Sequence, residues 1–183
     1  MIYLNCHTWF SLRYGTFSVE RLCDLAEKNG VKSVAVTDIN NTSACLDFLK
    51  RAEERNFQAL VGIDFRNGVD QQYVGLAKNN TGFRQLNEHL SKHLHVQKEF
   101  GPDAPVLPDC IIIYPYEKVV ERNKDEFRNN EFIGVSIENL RKLKFSKYKD
   151  QKEKLVLFQT VSFENKRDYN AHRLLRAIDN NEL

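Results

Sequence analysis

The sequence predicts an α/β protein built as an irregular seven-stranded (β/α) barrel. Three observations predict it. Short apolar runs rich in β-branched residues alternate with segments whose apolar residues recur at helical spacing; the connections between them are short; and several runs close on a polar residue. Runs that are apolar throughout suit strands buried on both faces, and helical crossovers between them imply mostly parallel pairing.

The elements follow in order. Ile2 to Cys6 is a short apolar strand. Ser18 can cap a helix whose apolar residues Val19, Leu22, Leu25 and Ala26 line one face, and Gly30 stops it. Ser33 to Thr37 is a β-branched strand; Thr42 or Ser43 then opens a helix through Leu46, Phe48 and Leu49 to about Arg55. Gln58 to Gly62 and Gln71 to Ala77 give two more strands, and a helix from about Thr81 to His95 carries Phe83, Leu86, Leu90 and Leu94 on its inner stripe. Three prolines and a glycine between Phe100 and Pro108 form the one strong breaker cluster. Strands are predicted at Cys110 to Tyr114, Phe132 to Val135 and Leu155 to Thr160, and Asn165 can cap a last helix bearing Tyr169, Leu174, Leu175 and Ile178.

Composition narrows the class of protein. A chain of 183 residues suits one domain over 1–183 with a sizeable core. No apolar run approaches the roughly 18 residues that span a bilayer, and no signal-peptide pattern precedes the first strand, so a cytoplasmic location without membrane partners is expected. Cys6, Cys23, Cys45 and Cys110 include no CxxC pair and read as reduced, buried thiols. A net charge of +2 nominates no nucleic-acid partner by itself.

In α/β barrels chemistry gathers where strands end and the following loops converge. Those positions here are Asn5 and His7, Asp38, Asp64, and Thr160 with Ser162. His7 reads equally as a hydrogen-bonded strand-end histidine, and Asp38 and Asp64 as caps.

The same residues carry a family resemblance. Asn5 to Gly15, NCHTWFSLRYG, resembles the opening motif of the polymerase and histidinol phosphatase (PHP) domain found in bacterial DNA polymerase III alpha subunits. Val36 to Asn41 is similar to its second motif, Gly62-Ile63-Asp64 to its third, and Leu76 to Phe83 to the segment opening the helix after the fourth strand. Asp168 to Ile178 resembles the helix leading out of that domain. The resemblance implies an N-terminal piece of a much longer polymerase chain. That chain would be a DNA-directed DNA polymerase using Mg on carboxylates elsewhere, with the remainder of the polymerase, DNA and a proofreading subunit as partners.

Departures from the family pattern shape the functional expectation. Asn5 stands where the resemblance implies the first histidine of a His-x-His pair, and Tyr14 stands for an acid. Ile39 replaces a histidine, Asp64 a glutamate, Gln72 a histidine, and Thr160-Val161-Ser162 an Asp-x-His. Zinc and manganese sites need about three or four N, O or S ligands in fixed geometry. With only His7 and Asp64 left as weak ligand candidates, no catalytic residue and no cofactor is expected. Asn5 and Gln72 would bond each other or His7, and Ile39 would fill the pocket floor. The alternative is an active phosphoesterase or 3′–5′ exonuclease using His7, Asp38 and Asp64 with Zn or Mn; a freestanding regulatory or adaptor protein is a third reading.

Two further features stand apart. His89, His93 and His95 read as a solvated helix face, with metal binding as the competing reading. Arg141, Lys142, Lys144, Lys147, Lys149, Lys152 and Lys154, interleaved with Phe145 and Tyr148, read either as solvated surface or as a nucleic-acid contact.

Overall fold

The computed structural model describes residues 1–182, which form two compact units. The first holds Met1–Ile63 and the chain from Thr160 onward; the second is Asp64–Gln159.

The first unit is a parallel sheet in the order β8-β1-β2-β3, with strands Ile2–Cys6 (β1), Ser33–Val36 (β2), Gln58–Asn67 (β3, which runs on into the second unit) and Thr160–Val161 (β8). Register sets Asn5 beside Thr160 and Cys6 beside both Val36 and Val161. Helix α1 (Val19–Lys28) starts at Ser18, whose hydroxyl accepts from the Arg21 amide, and ends before Gly30, whose φ of +59° few other residues tolerate. It buries Val19, Leu22, Cys23 and Ala26, an i, i+3, i+4, i+7 stripe. Helix α2 (Cys45–Glu53) begins later than the sequence suggests, because Thr42 and Ser43 lie in a turn held by the Asn41 carboxamide accepting from the Ser43 amide. Helix α6 (Lys166–Asp179) is capped by Asn165, which accepts from the Arg167 and Asp168 amides.

The second unit continues from β3 through β4 (Asp70–Ala77), β5 (Cys110–Pro115), β6 (Glu131–Val135) and β7 (Leu155–Leu157). β4 pairs antiparallel with β5, while β5, β6 and β7 pair in parallel. Helix α3 (Asn80–Val96) packs on β4 and β5; Gly75 admits it, since a Cβ there would stand 2.6 Å from a Leu86 methyl. The short helices α4 (Tyr116–Glu121) and α5 (Leu140–Lys144) have no counterpart in the sequence reading.

Three expectations are corrected. There are eight strands among the described residues, not seven: the run read as one strand from Leu155 to Thr160 breaks at Phe158-Gln159, so that β7 pairs with β6 and β8 with β1. β3 does not stop at Gly62 but continues to Asn67, where Gly68 (φ +60°) turns the chain into β4. On α3 the inner stripe runs through Leu86, His89, Leu90 and His93, whereas Leu94 is 55% exposed. All four cysteines are free and buried, and no helix among the described residues is long and apolar enough to cross a membrane.

Candidate functional site

At the C-terminal edge of the first unit's sheet, neighbouring strands bring together Asn5, His7, Thr37, Asp38, Thr160 and Ser162. Backbone bonds fix the edge: the Thr37 amide donates to the Cys6 carbonyl and the His7 amide to the Val161 carbonyl, both at 2.9 Å. Asn5 and His7 are wholly buried. The Asn5 carboxamide accepts from the Thr37 hydroxyl at 2.7 Å and donates to the Thr160 hydroxyl at 2.9 Å, so both ends are engaged within the strand layer. His7 Nδ1 lies 3.2 Å from the Ser162 hydroxyl, and the Tyr14 ring stands edge-on to the imidazole with centroids 5.0 Å apart.

Asp38 organises the loop after β1. Its Oδ1 accepts from the Thr8 amide (2.7 Å) and the Ser11 hydroxyl (2.6 Å), and its Oδ2 accepts from the Thr8 hydroxyl (2.7 Å). Ser11 in turn accepts from the Ile39 amide at 3.0 Å, tying the loop back to the end of β2. The carboxylate's charge is felt nearby. Burial first and Asp38 second push the Cys6 and Cys45 thiols up to about 12, which makes both inert as nucleophiles at neutral pH. Gly15 closes the loop: a Cβ there would sit 1.9 Å from the Thr8 carbonyl oxygen. Ile39 is half-buried, so it does not fill a sealed pocket floor.

His172 is a neighbour the sequence reading did not place in the site. From α6 its Nδ1 donates to the Tyr14 carbonyl at 2.7 Å, its ring stacks edge-on against the Tyr14 ring, and Arg176 lies 5.3 Å from the Tyr14 centroid. Its four-residue spacing from Arg176 on an amphipathic helix was the available signal.

The remaining site positions lie in the second unit. Asp64 is inside β3 rather than at a strand end, and its Oδ2 takes a forked contact from Arg66 Nε (3.0 Å) and Nη2 (2.7 Å), with both side chains buried. The i, i+2 spacing on a strand, which puts both side chains on one face, was the signal for Arg66. The buried Gln72 carboxamide donates to Asp70 at 2.7 Å and accepts from Arg122 at 2.6 Å. Its amide is thus spent within its own unit, as that of Asn5 is in the other, which replaces the expected bond between the two.

His89 corrects the reading of a solvated histidine face. Its Nε2 lies 2.7 Å from the Tyr73 hydroxyl, its ring packs against Phe65 and His93, and burial followed by the charge of His93 lowers its pKa to about 4. Of the basic run, Lys147 pairs with Asp125 and Lys154 donates to the Arg128 carbonyl, while Tyr148 is buried. Among the described residues no group of three or more His, Cys, Asp or Glu side chains is placed to hold a metal ion.

The fold places the molecule first in a structural class. An amidohydrolase from Chromobacterium violaceum, solved with bound sulfate and no metal, shares it with a TM-score of 0.57 at 13% identity, over 88% of this chain and 87% of its own. The family follows from the sequence itself: the PHP domain model matches residues 4–126, and the chain belongs to the PHP domain family. DNA polymerase III subunit alpha of Ureaplasma parvum is 24% identical over 187 residues, covering 100% of this chain and 18% of that protein. The Staphylococcus aureus (strain COL) subunit of the same name is 26% identical over 196 residues, covering 99% of this chain and 17% of its own. The chain therefore spans less than a fifth of the length of these relatives.

Proposed function

We propose that this chain serves as the N-terminal PHP domain of a replicative DNA polymerase of the DNA polymerase III alpha type, with a structural role and no hydrolytic chemistry of its own. Its partner is then the remainder of the polymerase chain, whose own Mg-dependent nucleotidyl transfer lies elsewhere; contacts with DNA or a proofreading subunit belong to the same reading. Similarity to the alpha subunits along nearly the whole chain supports the context.

The observation that carries the structural role is the closed hydrogen-bond network at the strand ends. The donor set does not fit a zinc or manganese cluster. Asn5 spends both amide atoms on threonine hydroxyls, and Asp38 receives three protein donors. Asp64 already faces a guanidinium, and an alkyl group stands at Ile39. A carboxylate with donors on both oxygens, as Asp38 has, offers little to a cation, and a guanidinium beside Asp64 opposes a second positive charge there. The active-phosphoesterase alternative needs Asp38 and Asp64 as ligands, whereas Asp38 is held by three donors and Asp64 is paired through its Oδ2 with Arg66.

The test is made in a polymerase chain that contains this domain. His7→Ala is expected to change any manganese- or zinc-dependent 3′–5′ hydrolysis no more than it changes primer extension. Gly15→Ala, which breaks the loop, is expected to lower polymerase activity through the scaffold. A metal-dependent hydrolysis that disappears with His7→Ala while primer extension persists would overturn the structural reading.

A further inference from the structure

A second surface carries chemistry that the domain's scaffold role does not use. Between Leu140 and Lys154 seven cations face two carboxylates, a net of +5 inside a chain whose total is +2, so the rest of the molecule is net negative. The segment is a chain of short helical turns, α5 followed by 3-10 turns at Lys147–Asp150 and Lys152–Lys154. Tyr148 anchors it: the side chain is buried, and its hydroxyl donates to the Val119 carbonyl at 3.2 Å.

Structure divides the cations into two sets. Lys147 and Lys154 are spent on Asp125 and the Arg128 carbonyl. Arg141, Lys142, Lys144, Lys149 and Lys152 are exposed, and no carboxylate lies within ion-pair distance of them among the described residues. Amid these stands Phe145, 86% exposed, with the Lys144 ammonium 6.0 Å from its ring centroid. The exposed phenyl ring offers a flat π face to a planar partner. Cations flanking an open aromatic face are the elements of a single-strand platform, in which phosphates meet the charges and a base stacks on the ring.

We infer that Arg141, Lys142, Lys144, Phe145, Lys149 and Lys152 form a binding surface for single-stranded nucleic acid. The inference does not depend on the scaffold reading, because it rests on other residues, within the second unit, and on their charge and exposure alone. Recognition is independent of base sequence, because stacking accepts any base.

The experiment is fluorescence anisotropy of a labelled oligo(dT) 15-mer titrated with this chain between 50 and 200 mM NaCl. Three to five phosphate contacts on a single strand predict a slope of log K against log salt of about −2 to −3.5. K142Q/K144Q/K149Q/K152Q, which leaves Arg141, is expected to reduce that slope to about −0.7 or less in magnitude, while K166Q/R167Q, on exposed cations of α6, leaves it unchanged. Phe145→Ala is expected to weaken binding about 5- to 150-fold with the slope preserved, the signature of a lost stack rather than a lost charge. All the substituted side chains are exposed, and circular dichroism is used to check that each variant is folded. Oligonucleotide binding indifferent to both Phe145→Ala and the quadruple variant overturns the inference. So does binding to phosphatidylserine vesicles that the oligonucleotide fails to displace, which would assign the surface to a membrane.

Discussion

Replacing Asp38 separates a loop organiser from a metal ligand. The carboxylate accepts three short hydrogen bonds, from the Thr8 amide, the Thr8 hydroxyl and the Ser11 hydroxyl. Hydrogen bonds to charged groups contribute about 1.5–3 kcal/mol each, and stranding a buried donor costs about 1–3 kcal/mol. The three share one acceptor group and are coupled, so they do not add. In Asp38→Ala the two hydroxyls can rotate towards other acceptors, but the Thr8 amide cannot, which sets the loss at about 3–4 kcal/mol. Asp38→Asn keeps the shape and one carbonyl acceptor, and the Thr8 hydroxyl can turn to accept from the new amide. Its expected loss is about 1–2 kcal/mol. Urea denaturation followed by circular dichroism reads both as shifts of the midpoint at constant slope. In a domain of this size each kcal/mol also lowers Tm by about 2–4 °C. A vacant metal ligand behaves oppositely, since removing its charge relieves repulsion and desolvation in the metal-free protein. Asp38→Asn as stable as the parent, or more so, would refute the reasoning.

Other perturbations probe the rest of the structure. Arg66→Met leaves Asp64 buried without its forked partner and should cost about 3–5 kcal/mol, most of it recovered in Arg66→Met/Asp64→Asn; equal stability of the single and double variants in urea would contradict this. His89 stays neutral in the fold, with a pKa near 4 against about 6.5 when unfolded, so the unfolded chain binds more protons between those values. Stability is therefore full above about pH 6.5 and declines by roughly 2 kcal/mol as pH falls towards 4, after allowance for the ring's partial exposure; a His89→Gln variant with the same decline would show that another group is responsible. Gly15→Ala forces a methyl group into the Thr8 carbonyl and should cost about 3 kcal/mol or more, read by thermal melting. Ile39→His should cost only about 1 kcal/mol, because the position is half-buried, and should bring no metal affinity, as calorimetric titration with zinc would show.

What the sequence revealed follows from the range of the forces involved. β1, α1, β2 and the caps at Ser18 and Asn165 rest on local patterns, and each stands where its residues place it. Family motifs likewise located His7 and Asp38 at strand ends. The extension of β3 was missed because Gly62 reads locally as a stop, while pairing across the Gly68 turn carries the strand to Asn67. The apolar run after Lys154 reads as one strand, and only its two different neighbours, β6 and β1, divide it. Polar partners were hardest to foresee. Gln72 finds Arg122 fifty residues away, and His89 turns inward because Tyr73 offers a hydroxyl, neither of which periodicity encodes.

The central claim is that hydrogen bonds hold the strand-end residues in place of metals. Elemental analysis by inductively coupled plasma mass spectrometry, on protein dialysed after incubation with zinc and with manganese, tests it most directly. The account predicts metal well below one ion per chain, the same in the parent and in His7→Ala. Stoichiometric zinc or manganese in the parent, lost in His7→Ala, would contradict it.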